Sequence, residues 1–202
     1  MPGHPLYAAL IVALGLTVAS CSGSSPAGRT NTTAATLAAA LQLQQQGNLD
    51  QARQLYLQVI KAQPNNVYAH YDLGVMAQSA GDDTGALADY RAALTANPAY
   101  VPALYNEATI YAKSDSRLAM RTYQRVIALQ PVAPTAELNL GLLEIRQGAP
   151  HAGIQHLAVA VNEEPALLTR VPGHLRSLVR SVARSVRSKA GPSASADPSA
   201  AP

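Results

Sequence analysis

The chain has 202 residues with 15 basic and 12 acidic side chains, no tryptophan, no phenylalanine and nine tyrosines. Its core must be built from Leu, Val, Ile, Ala and Tyr, a set that favours close-packed helices with small residues at their contacts. The net charge of +3 is uneven: residues 166–202 carry six basic groups against Asp197, or +5, which leaves 3 − 5 = −2 on the rest and excludes a basic body built for nucleic acid.

Residues Leu6 to Ala19 form an apolar run of 14 residues, shorter than the roughly 20 a membrane-crossing helix needs. Such a run ending in small residues has the form of an export signal before cleavage. Cys21, the only cysteine, follows directly and excludes any disulfide within the chain. The ending Val18-Ala19-Ser20-Cys21 resembles the lipobox of bacterial lipoproteins, although no Lys or Arg precedes the apolar run. The resemblance implies a signal peptide over 1–20 and a diacylglycerol on Cys21, with palmitate-type acyl chains and anchorage to a bacterial membrane of the cell envelope. The bland reading of Cys21 is a free or buried thiol behind a helix packed on the body. Residues 21–32 then read as lipidated cysteine and flexible tether, with a reach of about 20 Å for twelve residues.

From residue 33 the chain repeats. Ala52, Ala86, Ala119 and Gly153 step by 34, 33 and 34, and Tyr56, Tyr90, Tyr123 and Leu157 keep the same steps, as do Pro64, Pro98, Pro131 and Pro165. Gly47, Gly81, Asp115 and Gly148 mark turns, and the one-residue deletion falls between Asp115 and Ala119. Each unit reads as two helices. In the second, Val67 to Ala80 is one, Gly81-Asp82 a turn, and Thr84 to Ala96 another, ended at Asn97-Pro98 because proline cannot continue a helix. A period of this length with small, aromatic and proline landmarks resembles the tetratricopeptide repeat (TPR) family. The expectation is an all-α solenoid of four helical hairpins over 33–165 (33–66, 67–100, 101–133 and 134–165). In the third unit Glu107 stands where Leu73 and Leu140 stand in its neighbours. It is expected to be partly buried with a partner, or else to reach water through a local shift of its helix.

Residues 166–189 are expected to form a basic capping helix over the open end of the stack. From His174 to Lys189, Leu175, Leu178, Val179, Val182 and Val186 form one stripe, and Arg176, Arg180, Arg184 and Arg187 a second. The same helix could instead contact anionic lipid through its arginines, which gives the alternative of a membrane-surface structural protein, or pair two copies of the chain. Residues 190–202, rich in Ala, Ser and Pro, read as disordered.

The TPR resemblance implies a concave groove lined by the first helix of each unit and holding a partner's peptide or helix. Carried over by position, the groove presents Tyr68, Tyr71, Asp72 and Val75, then Tyr105, Asn106, Thr109 and Lys113, then Leu138, Asn139, Leu142 and Arg146. Asn106 and Asn139 are there expected to hold the ligand backbone, since an amide offers both donor and acceptor. The groove lacks the Lys and Arg cluster that would clamp an acidic tail. Catalysis finds no support in the pattern: the histidines are scattered, and His151 and His156, five apart, point about 140° away from each other on a helix. No enzyme activity, cofactor, metal or nucleic-acid partner is expected. The expected function is a non-catalytic adaptor at the cell envelope, with envelope proteins as partners.

Overall fold

The computed structural model describes residues 27–189, which form nine α-helices and two short 3-10 turns and no strand. Helices α1 (Ala27–Gln45) and α2 (Leu49–Ala62), α3 (Val67–Ser79) and α4 (Asp83–Ala96), α5 (Val101–Ser114) and α6 (Ser116–Leu129), and α7 (Pro134–Arg146) and α8 (Pro150–Glu163) pack as four successive hairpins. The 3-10 turns Pro165–Arg170 and Gly173–Leu175 then lead into α9 (Arg176–Lys189), which lies on α8. The architecture is the expected all-α solenoid with a capping helix.

The turns explain why the hairpins close. Gly47, Gly81 and Gly148 have φ of 80°, 83° and 82°, the left-handed conformation that costs a residue with a Cβ more than glycine. At each, the amide three residues past the helix reaches back: Asn48 to the Leu43 carbonyl, Asp82 to Ala77 and Ala149 to Glu144, all at 2.9 Å. The third hairpin has lost this turn. Asp115 is its sole connector, with extended backbone, and its carboxylate accepts the Leu118 amide at 3.0 Å to start α6. The missing residue thus comes out of the turn, where neither helix loses a packing position. Asn66 and Asp82 cap α3 and α4 in the same way, through the Ala69 and Gly85 amides.

The core repeats with the sequence. The second helix of each hairpin buries a small residue and a large one four positions on: Ala52 with Tyr56, Ala86 with Tyr90, Ala119 with Tyr123, Gly153 with Leu157. The first helix meets this pair closely. A Cβ on Gly74 would stand 2.6 Å from the Tyr90 ring, and one on Gly141 would stand 2.6 Å from the Gly153 carbonyl oxygen. Gly74 therefore makes room for the Tyr90 ring.

Glu107 is buried, at 8% exposure, and has partners. It accepts the Tyr111 hydroxyl at 2.8 Å, and Arg91 approaches it at 3.6 Å while donating to the same hydroxyl at 2.9 Å. The helix does not shift to bring Glu107 to water.

Three expectations need correction. Helical geometry begins at Ala27, six residues inside the stretch read as a flexible tether, and after Gly28 no glycine or proline interrupts a helix before Gly47. The capping segment is not one helix from 166: Pro172 and Gly173 break it, and the 3-10 turns place Leu167 and Val171 in the core beside Val179. The cap's buried face is also rotated from the expected stripe. Val179 and Ala183 are buried, with Leu175 and Val182 half-buried, while Leu178 (47%) and Val186 (36%) are exposed. Cys21, the apolar run before it and the 190–202 tail lie outside the described residues.

Candidate partner-binding groove

The first helices of successive units meet directly along one face, joined by side chains that recur with the repeat. Asn106 Nδ2 on α5 donates to the Tyr90 hydroxyl at 3.2 Å and to Tyr71 at 3.5 Å. One unit on, Asn139 Nδ2 on α7 donates to Tyr123 at 3.2 Å and Tyr105 at 3.1 Å. Each asparagine thus ties together two tyrosines of the preceding unit, one from each of its helices. Tyr90 in turn donates to Gln78 Oε1 at 2.7 Å, as Tyr56 does to Gln44, and Gln78 Nε2 donates to Thr109 at 3.1 Å. The buried tyrosines spend their apolar rings in the core and bring their hydroxyls out beneath this face.

Asp72 takes the asparagine's place at the first junction, 16 residues after Tyr56 as Asn106 is after Tyr90 and Asn139 after Tyr123. Half-burial pushes its carboxyl up to about 6, although the neighbouring Tyr56 hydroxyl works the other way. Above it, Tyr71 and Tyr100 meet edge to face at 5.3 Å and Tyr68 and Tyr100 at 5.9 Å. Burial of their rings raises Tyr90 and Tyr100 well above the usual phenol range, and the Asp72 charge adds to both shifts.

The expected groove residues thus divide. Tyr68 is 56% exposed, and Tyr71, Asp72, Val75, Tyr105, Asn106, Thr109, Asn139 and Leu142 are half-buried on or beside the face. With both amide hydrogens of Asn106 and Asn139 directed at tyrosines, these residues offer a ligand their carbonyl oxygens as acceptors rather than the donor-acceptor pair. Lys113 is held by Asp83 at 2.8 Å and links the second unit to the third. Arg146 is exposed. Leu138, expected in the groove, is fully buried beside Leu157, Val171 and Val179, because the cap continues the stack over that side of α7; Leu142 packs against the same cluster.

The basic helix spends part of its charge on the cap. Arg176 donates to the Val171 and Thr169 carbonyls at 2.8 Å and holds the 3-10 turn, and Arg187 reaches Asn162 at 3.3 Å. Asn162 also donates to the Ala183 carbonyl at 2.9 Å. Arg180 and Arg184 are exposed.

Away from the groove, the sequence reading missed a charged cluster in the fourth unit. His156 on α8 donates from Nδ1 to Glu137 at 2.5 Å, and its Nε2 lies 3.6 Å from Glu144. Both carboxylates are buried on α7. The hydrogen bond to Glu137 raises the imidazole pKa, and burial raises that of Glu144. Glu137 and Glu144 are seven apart, two turns on one face, which was the available signal. Glu144 also borders an open depression of about 530 Å³ lined by Arg117, Met120, Arg121, Gln124, Gln147 and Ala149. Among the described residues no group of three or more His, Cys, Asp or Glu could hold a metal ion, and no helix is long and apolar enough to cross a membrane.

Known proteins agree with this geometry. The Photosystem I assembly proteins Ycf3 of two Prochlorococcus marinus strains, MIT 9303 and MIT 9313, are each 33% identical over 108 residues, a match covering 48% of this chain and 62% of theirs. The chain therefore spans less than two thirds of those relatives' length. Among solved structures, a MamA protein superimposes with a TM-score of 0.65 at 22% identity, covering 79% of this chain and 88% of its own. PilF of Pseudomonas aeruginosa does so with 0.62 at 20% identity, covering 81% and 72%. At such identities the likeness is one of fold. The tetratricopeptide repeat model matches residues 37–101 and 111–166, more than half of the sequence, and the chain belongs to the tetratricopeptide repeat family.

Proposed function

We propose that the protein is a non-catalytic adaptor that captures an extended peptide or helix of an envelope protein on the face formed by α3, α5 and α7, while a lipid on Cys21 holds it to a bacterial membrane. The observation that carries this reading is the recurring tyrosine-asparagine ladder, which fixes the side chains of that face before any partner arrives. A preorganised face loses little entropy on binding, and its tyrosines contribute area with few rotamers to freeze. TPR repeats serve protein-protein interaction, and the Ycf3 relatives are described as assembly proteins. The lipid anchor rests on the Val18-Ala19-Ser20-Cys21 sequence alone. The rival use of α9 as a membrane-surface helix is less favoured, because Val179 and Ala183 are already committed to α8.

The test is crosslinking of the protein in its own cells followed by mass spectrometry. Wild type is compared with Tyr68→Ala/Arg146→Ala, which alters exposed groove residues, and with Cys21→Ser. A partner captured by wild type and lost from the groove variant supports the adaptor reading, and release of Cys21→Ser from membranes supports the anchor. Capture indifferent to the groove variant overturns the assignment of the site.

A further inference from the structure

Resting on the groove reading, we infer that Tyr68, Tyr71 and Tyr100, with Asp72 beside them, form an open aromatic cage that receives a basic side chain, arginine or lysine, of the bound partner. Tyr100 stands edge-to-face with Tyr68 at 89° and with Tyr71 at 80°, with centroids 5.9 and 5.3 Å apart. Each edge-to-face contact covers one ring face and leaves the outer faces free, and a cation is attracted to an aromatic face within about 6 Å of its centroid. Tyr90 backs the group, its ring 5.9 Å from Tyr71. Tyr68 is more than half exposed, so the cage is open to a ligand in the groove.

Asp72 supplies the second, independent observation. It is a half-buried carboxylate, and among the described residues it forms no salt bridge. Asp83, Glu107, Glu137 and Glu144 all have cationic or imidazole partners. Its neighbour within the chain is the neutral Tyr56 hydroxyl, so a cation to match this charge has to come from outside. The arrangement also occurs once: one unit on, Pro102, Ala133 and Asn106 stand where Tyr68, Tyr100 and Asp72 stand. Aromatic walls and charge coincide only at this junction, so the cage sets where along the groove the basic residue must lie. An arginine suits it best, because its planar guanidinium can stack on a ring while donating to the carboxylate.

The experiment uses the full chain with 13C-labelled tyrosine rings at neutral pH and low ionic strength. The probes are acetylated, amidated eight-residue alanine/serine peptides with one central arginine, lysine, citrulline or norleucine. The expected result is movement of the Tyr68, Tyr71 and Tyr100 resonances and a preference of about tenfold for arginine over its neutral isostere citrulline. Asp72→Asn should reduce that preference to about twofold, with the helical circular dichroism unchanged. Tyr68→Leu, a surface change, should weaken the arginine peptide and bring its affinity towards that of the norleucine peptide. Equal affinity for all four peptides with the same resonances moving would overturn the cage and leave the groove reading standing, its occupant then apolar or backbone-held. Binding that moves only resonances outside this face overturns both. An absence of binding by any peptide overturns the cage, and the crosslinking experiment then decides the groove reading by itself.

Discussion

Asp72 shows how one residue sets both stability and recognition at the first junction. Its carboxyl is raised to about 6 from 3.8, so the folded state holds the proton more tightly than the unfolded chain. The stability from the protonated form is therefore fully present below 3.8 and is lost as pH rises through about 6. Asp72→Asn, which installs the residue its neighbours use, should be more stable than wild type by about 1–3 kcal/mol at pH 7. The difference should vanish near pH 3.5 in urea titrations across that range. A cost of this kind, kept at one junction of three, is what a binding site imposes on its scaffold. His156 has the same sign in a higher window. Its pKa is raised above 6.5 by Glu137, so its contribution is complete below 6.5 and declines as pH rises through the folded value. His156→Gln leaves two buried carboxylates without their cation. It should lower stability by about 2–4 kcal/mol at pH 6 and flatten the loss of melting temperature between pH 6.5 and 9.

At the scale of the helix, the hairpins are held by close approach rather than by bulk. Gly141 and Gly153 face each other so tightly that a Cβ on either would strike the other's carbonyl oxygen, at 2.6 and 2.5 Å. Gly141→Ala should therefore destabilise the chain by about 2–3 kcal/mol, since backbone must move to admit it. Gly47→Ala meets nothing within 4 Å and carries only the strain of its positive φ, about 1 kcal/mol. Thermal unfolding of the two variants checks the order. These differences follow landmarks visible in the sequence: Gly47, Gly81 and Gly148 are turn glycines, and Asp115 stands at the same place in the third unit. That Gly74 makes room for the Tyr90 ring is set by how the packed helices are rotated about their axes and not by the period.

Over the whole molecule, stability is a sum of hairpins and the interfaces between them, and an end must be closed. The cap covers Leu138, Leu157, Val161 and Leu167 with Val171 and Val179. A chain stopped after Glu164 should expose that cluster, bind a hydrophobic dye and lose melting temperature. Arg180→Gln/Arg184→Gln should leave stability within about 0.5 kcal/mol, because both side chains are exposed. Retention of wild-type melting by the truncated chain would show that α9 is not a cap.

The amino-acid sequence alone determined the period, the hairpins and the family, because these depend on local rules repeated from unit to unit: a small residue, a large one four positions on and a proline stop in all four, and a glycine turn in three. It also marked Glu107 as a charge at a core position, needing either a partner or a path to water. What the tertiary structure decided depends on how neighbouring helices are rotated and how far apart they stand. It turned the amides of Asn106 and Asn139 towards tyrosines, buried Leu138 under the cap, chose Val179 and Ala183 over Leu178 and Val186, and brought His156 between two glutamates. A period of 33 or 34 residues says which side chains recur; only packing between hairpins says which of them meet.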